Sequence, residues 1–281
     1  MREITIGAVQ FRPQLNEPEE NLMKMAAMVR EVASKNKFDL VAFPELATTG
    51  AENGLHFTEL AQRVPGPAVN VMAKRASDLN THILFGLPTK QKVESIIYNA
   101  AVLIGPDGDV FGDYRKVHLR GDERLPFREG FKYRTFDTDF GTIGVMLGYE
   151  LMFPEVARTL ALEGAELIIC LANWERPLMR EWRALCIARA IENNCFIMGV
   201  NRVGEDRQLQ FGGESVIVDP FGEVVALIET PVDPDTGEIG EPEEGYCVAK
   251  IDLDMVRQAR ETTQNFQTRR PDTYRAVVKR Y

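Results

Sequence analysis

The chain has 281 residues, of which 44% are hydrophobic and 27% are charged, a composition typical of soluble globular proteins. The formal net charge of −9 argues against nucleic acid or an anionic membrane as the main partner. Because it has no apolar run of about 18 residues and does not start with a signal-peptide pattern, we expect a cytoplasmic protein that does not cross a membrane.

Cysteine and histidine usage indicates neither disulfide bonds nor a metal centre. The three histidines are scattered and do not have metal-ligand spacing. The cysteines form no C-x-x-C pair and have apolar neighbours, which is typical of buried thiols in a reducing compartment. They are Cys170, Cys186, Cys195 and Cys247. We therefore expect no metal and no cofactor.

The first half of the chain alternates strand-like and helix-like segments. Apolar residues recur with helical spacing over residues 18–36, and residues 67–79 form a second predicted helix with proline near its start. The sequence Gly-Pro-Asp-Gly at 105–108 is a strong turn signal and predicts a hairpin. The strands predicted in this half cover residues 3–9, 38–43, 82–87, 95–104 and 109–116.

The second half continues the alternation. The predicted helices cover residues 153–163, 180–193 and 253–262, and the predicted strands cover residues 141–147, 165–171, 195–201, 211–219, 222–229 and 245–252. A surface loop is predicted over 230–244, and a basic tail runs to Tyr281. The alternation favours an α/β fold, whereas the hairpins favour mixed sheets. We expect two mixed sheets packed face to face, with helices outside.

Three positions lie at or just after the ends of predicted strands, and open α/β sheets bind ligands at the carboxyl ends of their strands. Glu45 follows the strand that ends at residue 43, Lys116 ends the strand 109–116, and Gly148 stands between a strand and a helix. We expect these residues to converge. Each also has a simpler interpretation alone: a solvated turn acid, an exposed edge lysine, and a glycine that a tight turn requires.

The segments around these positions resemble the nitrilase, or carbon–nitrogen hydrolase, superfamily along nearly the whole chain. The residues Leu-Val-Ala-Phe-Pro before Glu45 are similar to the motif of the family's catalytic glutamate, and Tyr-Arg-Lys116-Val-His-Leu is similar to that of its catalytic lysine. Glu123 falls where the family has a second, substrate-orienting glutamate. The resemblance implies a four-layer α-β-β-α sandwich, with residues 1–281 forming one domain.

The nucleophile motif of the family is matched in all but one place. The family has Cys-Tyr followed by Asp or Glu, then two residues and Phe-Pro-Glu, whereas this chain has Gly148-Tyr149-Glu-Leu-Met-Phe-Pro-Glu. Asn173 and Trp174 look like pocket residues of the amidase branch. The resemblance implies that Tyr149, Asn173 and Trp174 bind substrate. It also implies a homodimer or larger homo-oligomer, and we expect the tail 264–281 to take part in oligomer contacts.

The missing thiol decides the function that we expect. In the family reaction a cysteine thiolate attacks an amide or nitrile carbon, and loss of a covalent nucleophile costs about 10⁶ in kcat in a comparable triad enzyme. Cys170 also ends a predicted strand, but we do not expect it beside Glu45 and Lys116. The first hypothesis is therefore an inactive amidase homologue, either a natural pseudoenzyme or an active-site variant.

Two other hypotheses stay open. Glu45 could activate a water molecule in the space that Gly148 leaves, with Lys116 holding the oxyanion. Alternatively, the old pocket could serve a binding or scaffolding protein that senses a small amide or acid. A dinucleotide-binding fold is not favoured, because no G-x-G-x-x-G follows the first strand.

The expected ligand is a small amide or a nitrile-like molecule. Family members that hydrolyse N-carbamoyl amino acids have arginines shortly after the nucleophile, where this chain has Leu151 and Met152, so this substrate class is less favoured. Arg176 is close enough in sequence to meet an anionic group, although a solvated loop arginine is the simpler interpretation.

Overall fold

The computed structural model describes residues 1–92, 96–234, 236 and 238–279, in which two six-stranded sheets and one two-stranded hairpin are present. The strands of the first sheet are β1 (Glu3–Gln10), β2 (Leu40–Ala42), β3 (His82–Lys90), β4 (Ile97–Ile104), β5 (Val110–Arg115) and β14 (Gly245–Asp252). The strands of the second sheet are β6 (Thr135–Asp137), β7 (Thr142–Leu147), β8 (Leu167–Ala172), β9 (Phe196–Asn201), β12 (Val216–Val218) and β13 (Val224–Leu227). The hairpin consists of β10 (Val203–Glu205) and β11 (Gln210–Gly212).

Both sheets combine a parallel centre with antiparallel edges. The first has the order β14-β1-β2-β3-β4-β5, in which β1, β2 and β3 are parallel. The second has the order β13-β12-β9-β8-β7-β6, in which β7, β8 and β9 are parallel. The prediction of mixed sheets is confirmed, since the hairpin connections reverse the outer strands.

The helices of the described chain are α1 (Pro18–Lys35), α2 (Phe57–Leu60), α3 (Pro67–Leu79), α4 (Pro154–Leu162), α5 (Met179–Asn193) and α6 (Asp254–Thr263). Of these, α1, α3, α4 and α5 cover the outer faces of the two sheets. Apolar side chains of α1 and α3 pack in one cluster with alternate residues of the first sheet, and those of α4 and α5 pack in another with residues of the second. None of these helices is long and apolar enough to span a bilayer.

The alternation of strand residues places a third apolar cluster between the two sheets. In β8, Leu167, Ile169 and Leu171 face this central layer, whereas Ile168 and Cys170 face α4 and α5. Because both faces of the central strands are buried, their sequences read as continuous apolar runs. The resulting order of layers is helix, sheet, sheet, helix, as expected.

Most predicted elements are present, but the strand predicted over residues 211–219 is wrong as a single strand. Gly213 has φ +66° and Glu214 has φ +55°, and this left-handed pair separates β11 from β12. As a result β11 pairs with β10, whereas β12 pairs with β9 in the second sheet. The predicted strand 38–43 is shorter, and β6, β10 and α2 were not predicted because they span only three or four residues each.

The segment 230–244 is a loop where the structure describes it, as predicted, whereas the role of the tail in oligomer contacts stays a prediction. Residues 230–244 contain an isolated bridge between Val232 and Ile239, and positions 235 and 237 lie outside the described residues. Gln264, with φ +54°, ends α6 and begins the tail. Residue 95 of a predicted strand and tail residues 280 and 281 also lie outside the description.

Candidate active site

A pocket opens where strands of both sheets end. Glu45 lies in the turn after β2, Lys116 directly follows β5, and Gly148 directly follows β7. Glu123 lies in a short 3-10 helix over Gly121–Arg124. These four residues, widely separated along the chain, all line one cavity of about 600 Å³.

Lys116 lies between two carboxylates at the bottom of this cavity. Its Nζ is 2.7 Å from Glu45 Oε1, and it is 2.7 Å and 2.9 Å from the two oxygens of Glu123. Lys116 and Glu45 are each only 2% exposed, so water screens their interaction weakly. The cluster contains two acids and one base, and this unequal ratio favours retention of an extra proton.

The pKa values of these groups reflect burial and mutual attraction. Burial raises the pKa of Glu45 and outweighs the opposing effect of the Lys116 charge. Burial by itself lowers the pKa of Lys116, but the charges of Glu45 and Glu123 raise it above the ordinary value for lysine. These shifts favour the charged ammonium form of Lys116 and the protonated form of Glu45.

Asn99 is a member of this cluster that the sequence analysis missed. It is fully buried in β4, and its Nδ2 donates hydrogen bonds to Glu45 Oε1 at 2.7 Å and to Glu123 Oε1 at 3.2 Å. Its backbone carbonyl oxygen accepts a hydrogen bond from the backbone N–H of Lys116 at 2.9 Å. The available signal was an amide side chain inside an apolar strand, because a buried amide needs partners.

Gly148 begins the turn that connects β7 to α4, and its φ is +43°. A Cβ atom built here would meet the carboxylate of Glu45, with Oε2 as the nearest atom. The same Oε2 accepts a hydrogen bond from the backbone N–H of Asn173 at 3.2 Å. A side chain at position 148 would thus require a shift of Glu45 and would keep a left-handed backbone, which costs about 1–3 kcal/mol.

The three predicted substrate-binding residues, Tyr149, Asn173 and Trp174, all line the cavity. Its other walls combine aromatic and charged side chains, as is usual for small-molecule sites. They include Phe57, Phe127, Phe211, Glu52, Arg120, Asp122, Glu175 and Arg207. Arg176 does not line the cavity, since its guanidinium pairs with Glu241 at 2.6 Å.

The cysteines do not offer a replacement nucleophile. Cys170 is fully buried in β8, and its Sγ lies 3.9 Å from the carbonyl oxygen of Gly148, on the helix side of the sheet and outside the cavity lining. Burial raises the pKa of its thiol well above the ordinary value, which disfavours the thiolate. Burial also raises the pKa of Cys195 and of Cys247 to about 12.

One wall of the cavity is held by a buried ion pair that the sequence analysis did not predict. Arg202 pairs with Asp206 at 2.9 Å, and both side chains are 0% exposed. Asp206 Oδ2 also accepts a hydrogen bond from the N–H of Ala51 at 2.7 Å, while Glu52 accepts hydrogen bonds from two N–H groups of the loop after Asp206. Two loops of the cavity wall are thereby joined.

Comparison with known proteins gives a consistent result. The carbon–nitrogen hydrolase family model matches residues 5–261. A probable nitrilase of Schizosaccharomyces pombe is 37% identical over 277 residues, covering 97% of this chain and 98% of the relative. A 2-oxoglutaramate amidase of Bacillus subtilis is 33% identical over 272 residues, covering 96% and 99% respectively.

The fold has close structural counterparts. One is a variant of the amidase from Nesterenkonia sp. AN1 that carries the acetamide moiety of fluoroacetamide covalently at its active-site cysteine. It is 22% identical, covers 97% of this chain and 96% of its own, and superposes with a TM-score of 0.81. Given the family match over most of its length and these relatives, the chain belongs to the carbon–nitrogen hydrolase family.

Proposed function

We propose that the protein binds a small amide in this cavity but is inactive in thiol-dependent hydrolysis, because glycine occupies the nucleophile position. The observation that carries the proposal is the arrangement of Glu45, Lys116 and Gly148. An acid and an ammonium group face a residue that has no side-chain atom to attack a carbonyl carbon. The Nesterenkonia amidase, by contrast, is alkylated at a cysteine of its active site.

Each remaining group has a role that fits amide chemistry. Glu45, with its raised pKa, suits a proton acceptor that later returns the proton to the leaving amine. The ammonium of Lys116 suits stabilisation of an oxyanion, because it stays charged in a largely dry environment. Glu123 and Asn99 hold Lys116 and Glu45 in place, and Tyr149 forms part of the wall.

The decisive experiment is to restore the thiol with Gly148→Cys and to follow ammonia release. The panel of amides includes acetamide, propionamide and 2-oxoglutaramate, the last because the Bacillus subtilis relative is named for it. We expect background release from the unchanged protein and release above background from Gly148→Cys, with a covalent acyl adduct in the intact mass. Gly148→Ser is the matched control, since it adds a side chain of similar size without a thiolate.

The opposite result would support a second route, water-mediated hydrolysis. Glu45 Oε2 already points towards position 148, so a water molecule bound there would lie beside a general base. Turnover by the unchanged protein without a covalent adduct, together with its loss in Glu45→Gln, contradicts inactivity and supports this route. If all variants stay inert while an amide raises the melting temperature, the cavity serves binding only.

We also propose that the protein assembles into a homodimer or larger homo-oligomer through its tail. The described part of the tail exposes apolar side chains: Tyr274 is 45% exposed, Val277 is 58% exposed and Val278 is 85% exposed. Light scattering on the full chain and on a chain ending at Thr263 tests this proposal. A monomeric full chain, or an unchanged assembly after truncation, contradicts it.

A further inference from the structure

Glu150 is a buried carboxylate that lies outside the cavity lining. It is 0% exposed and lies two residues after Gly148 in the turn between β7 and α4. Its two oxygens accept hydrogen bonds from two different segments of the chain. The N–H of Leu147 donates to Oε2 at 2.8 Å, and the N–H of Val117 donates to Oε1 at 2.7 Å.

A third donor completes this arrangement. The hydroxyl of Tyr114, itself fully buried in β5, lies 2.7 Å and 2.8 Å from the two oxygens of Glu150. The N–H of His118 makes a longer contact with Oε1 at 3.3 Å. The carboxylate therefore has donors on both oxygens, as a buried acid requires.

Two of these donors lie next to residues of the candidate site. Leu147 directly precedes Gly148, and Val117 directly follows Lys116. β5 and β7 belong to different sheets and share no strand pairing in the described sheet order. One side chain therefore joins the backbone that carries the lysine to the backbone that carries the nucleophile position.

We propose that Glu150 is a positioning residue, which fixes the ammonium group of Lys116 relative to residue 148 by joining the ends of β5 and β7. Glu45 and Glu123 hold the Nζ end of the lysine, whereas Glu150 holds the backbone at its base. The inference rests on the proposed function, because it takes residue 148 as the reacting position.

Glutamine is the informative substitution at this position. It has nearly the same shape, but it can accept through only one oxygen, and its amide N–H groups would face the donors of Leu147 or Val117. One of the two backbone connections is therefore lost while the cavity lining stays unchanged. Tyr114→Phe removes one donor only and provides a milder variant should Glu150→Gln fold poorly.

The test is made in the Gly148→Cys protein. Because a misplacement of about 1 Å can cost about 10²-fold in rate, we expect Glu150→Gln to lower kcat by about that factor and to change KM little. Alkylation of the introduced thiol by iodoacetamide gives a second readout. Its pH midpoint should rise by about one unit or more, because the Lys116 ammonium no longer stabilises the thiolate as well.

Asp219→Asn is the matched control. Asp219 is also a buried carboxylate, 8% exposed, which accepts hydrogen bonds from the N–H groups of Phe221 and Glu223, but it lies outside the cavity lining. We expect this control to leave kcat and the alkylation midpoint of folded protein unchanged. Tyr114→Phe should shift both in the direction of Glu150→Gln, by less.

The outcomes separate the two proposals. If Gly148→Cys releases no ammonia, glycine at position 148 is not the cause of inactivity and that part of the proposed function fails, while the alkylation midpoint still tests Glu150. The positioning role is overturned if Glu150→Gln behaves like the control Asp219→Asn. In that case both substitutions lower the melting temperature, but neither changes kcat or the alkylation midpoint of the folded protein. The positioning role is also overturned if kcat in Glu150→Asp is as low as in Glu150→Gln and the alkylation midpoint is unchanged in both.

Discussion

Two buried ionic clusters among the described residues differ in stoichiometry and in access to the cavity. Arg202 and Asp206 form an equal pair, both 0% exposed, and the guanidinium also stacks on Phe211 at 4.0 Å. Lys116 is shared by two carboxylates, Glu45 and Glu123, and this cluster lines the cavity. Burial of charge alone therefore does not mark a reactive site. The Lys116 cluster differs in that its charges are unequal and it lines an open cavity, where a proton or a ligand can change the balance of charge.

The largest expected effect concerns the balanced pair. Arg202→Met leaves Asp206 buried without its counter-ion, which we expect to lower the free energy of unfolding by about 3–5 kcal/mol. Urea denaturation measures this change. The double variant Arg202→Met/Asp206→Asn should recover much of the loss, because asparagine still accepts from the N–H of Ala51. A loss below about 1 kcal/mol for the single variant would contradict a structural role.

In the cluster of Lys116, Glu45 and Glu123, substitution should affect the reaction rate more than the stability. In the Gly148→Cys protein, Lys116→Ala is expected to reduce ammonia release by about 10²–10³-fold, the usual cost of removing an oxyanion donor. Its cost in stability should be smaller than that of Arg202→Met, since Glu45 can take up a proton when the ammonium is absent. If Lys116→Ala unfolds the protein and leaves the rate per folded molecule unchanged, the contrast between the clusters disappears.

The pH dependence of stability sharpens the comparison further. Burial raises the pKa of Glu150 from 4.5 to about 7, so the folded state holds this proton more tightly than the unfolded state. The stability contribution of Glu150 is therefore full below pH 4.5 and is lost as the pH rises to about 7, by about 3 kcal/mol.

Glu150→Gln removes this titration, and the wild-type protein provides the reference. The difference in unfolding free energy between the two proteins, measured in urea at pH 4.5 and pH 7, should change by that amount in favour of the variant at the higher pH. The raised pKa of Glu45 acts in the same direction but cancels in this difference, since both proteins contain it. A difference that does not vary with pH would show that burial does not raise the pKa of Glu150.

The smallest effect is expected for a surface pair. Arg176 and Glu241 are 33% and 82% exposed, and such pairs contribute about 0–1 kcal/mol. Arg176→Ala should therefore shift the melting temperature by no more than a few degrees. It should not change the affinity for an amide that binds in the cavity. A marked loss of affinity for 2-oxoglutaramate would instead mean that Arg176 leaves Glu241 to bind the ligand.

Much of the fold follows from local patterns. Helices α1, α3, α4 and α5 begin and end within two residues of the predicted bounds, because apolar spacing acts over a few residues, as does the proline in the first turn of α1, α3 and α4. The division between β11 and β12 escaped prediction. Glu214, with its positive φ, lies between β11, which pairs with β10, and β12, which pairs with β9. Local propensity does not reveal that the two strands have different partners.

The candidate site divides in the same way. Glu45, Lys116, Glu123 and Gly148 could be singled out from the sequence, because they follow strands or match motifs of a family. Asn99 and Glu150 acquire their roles through partners on other segments of the chain. Glu45 and Asn173 are 128 positions apart, and Tyr114 and Glu150 are 36 apart. A single sequence does not contain such distances, since they arise when the two sheets pack.

The amino-acid sequence by itself determined the order of elements, the identity of the acid, the ammonium and the glycine, and the absence of a thiol at position 148. Only the tertiary structure decided which carboxylates share Lys116, that Cys170 faces the helices rather than the cavity, and that Arg176 is paired elsewhere. The physical reason is that periodicity acts over one or two turns of chain, whereas charge balance and burial depend on segments that meet only after folding.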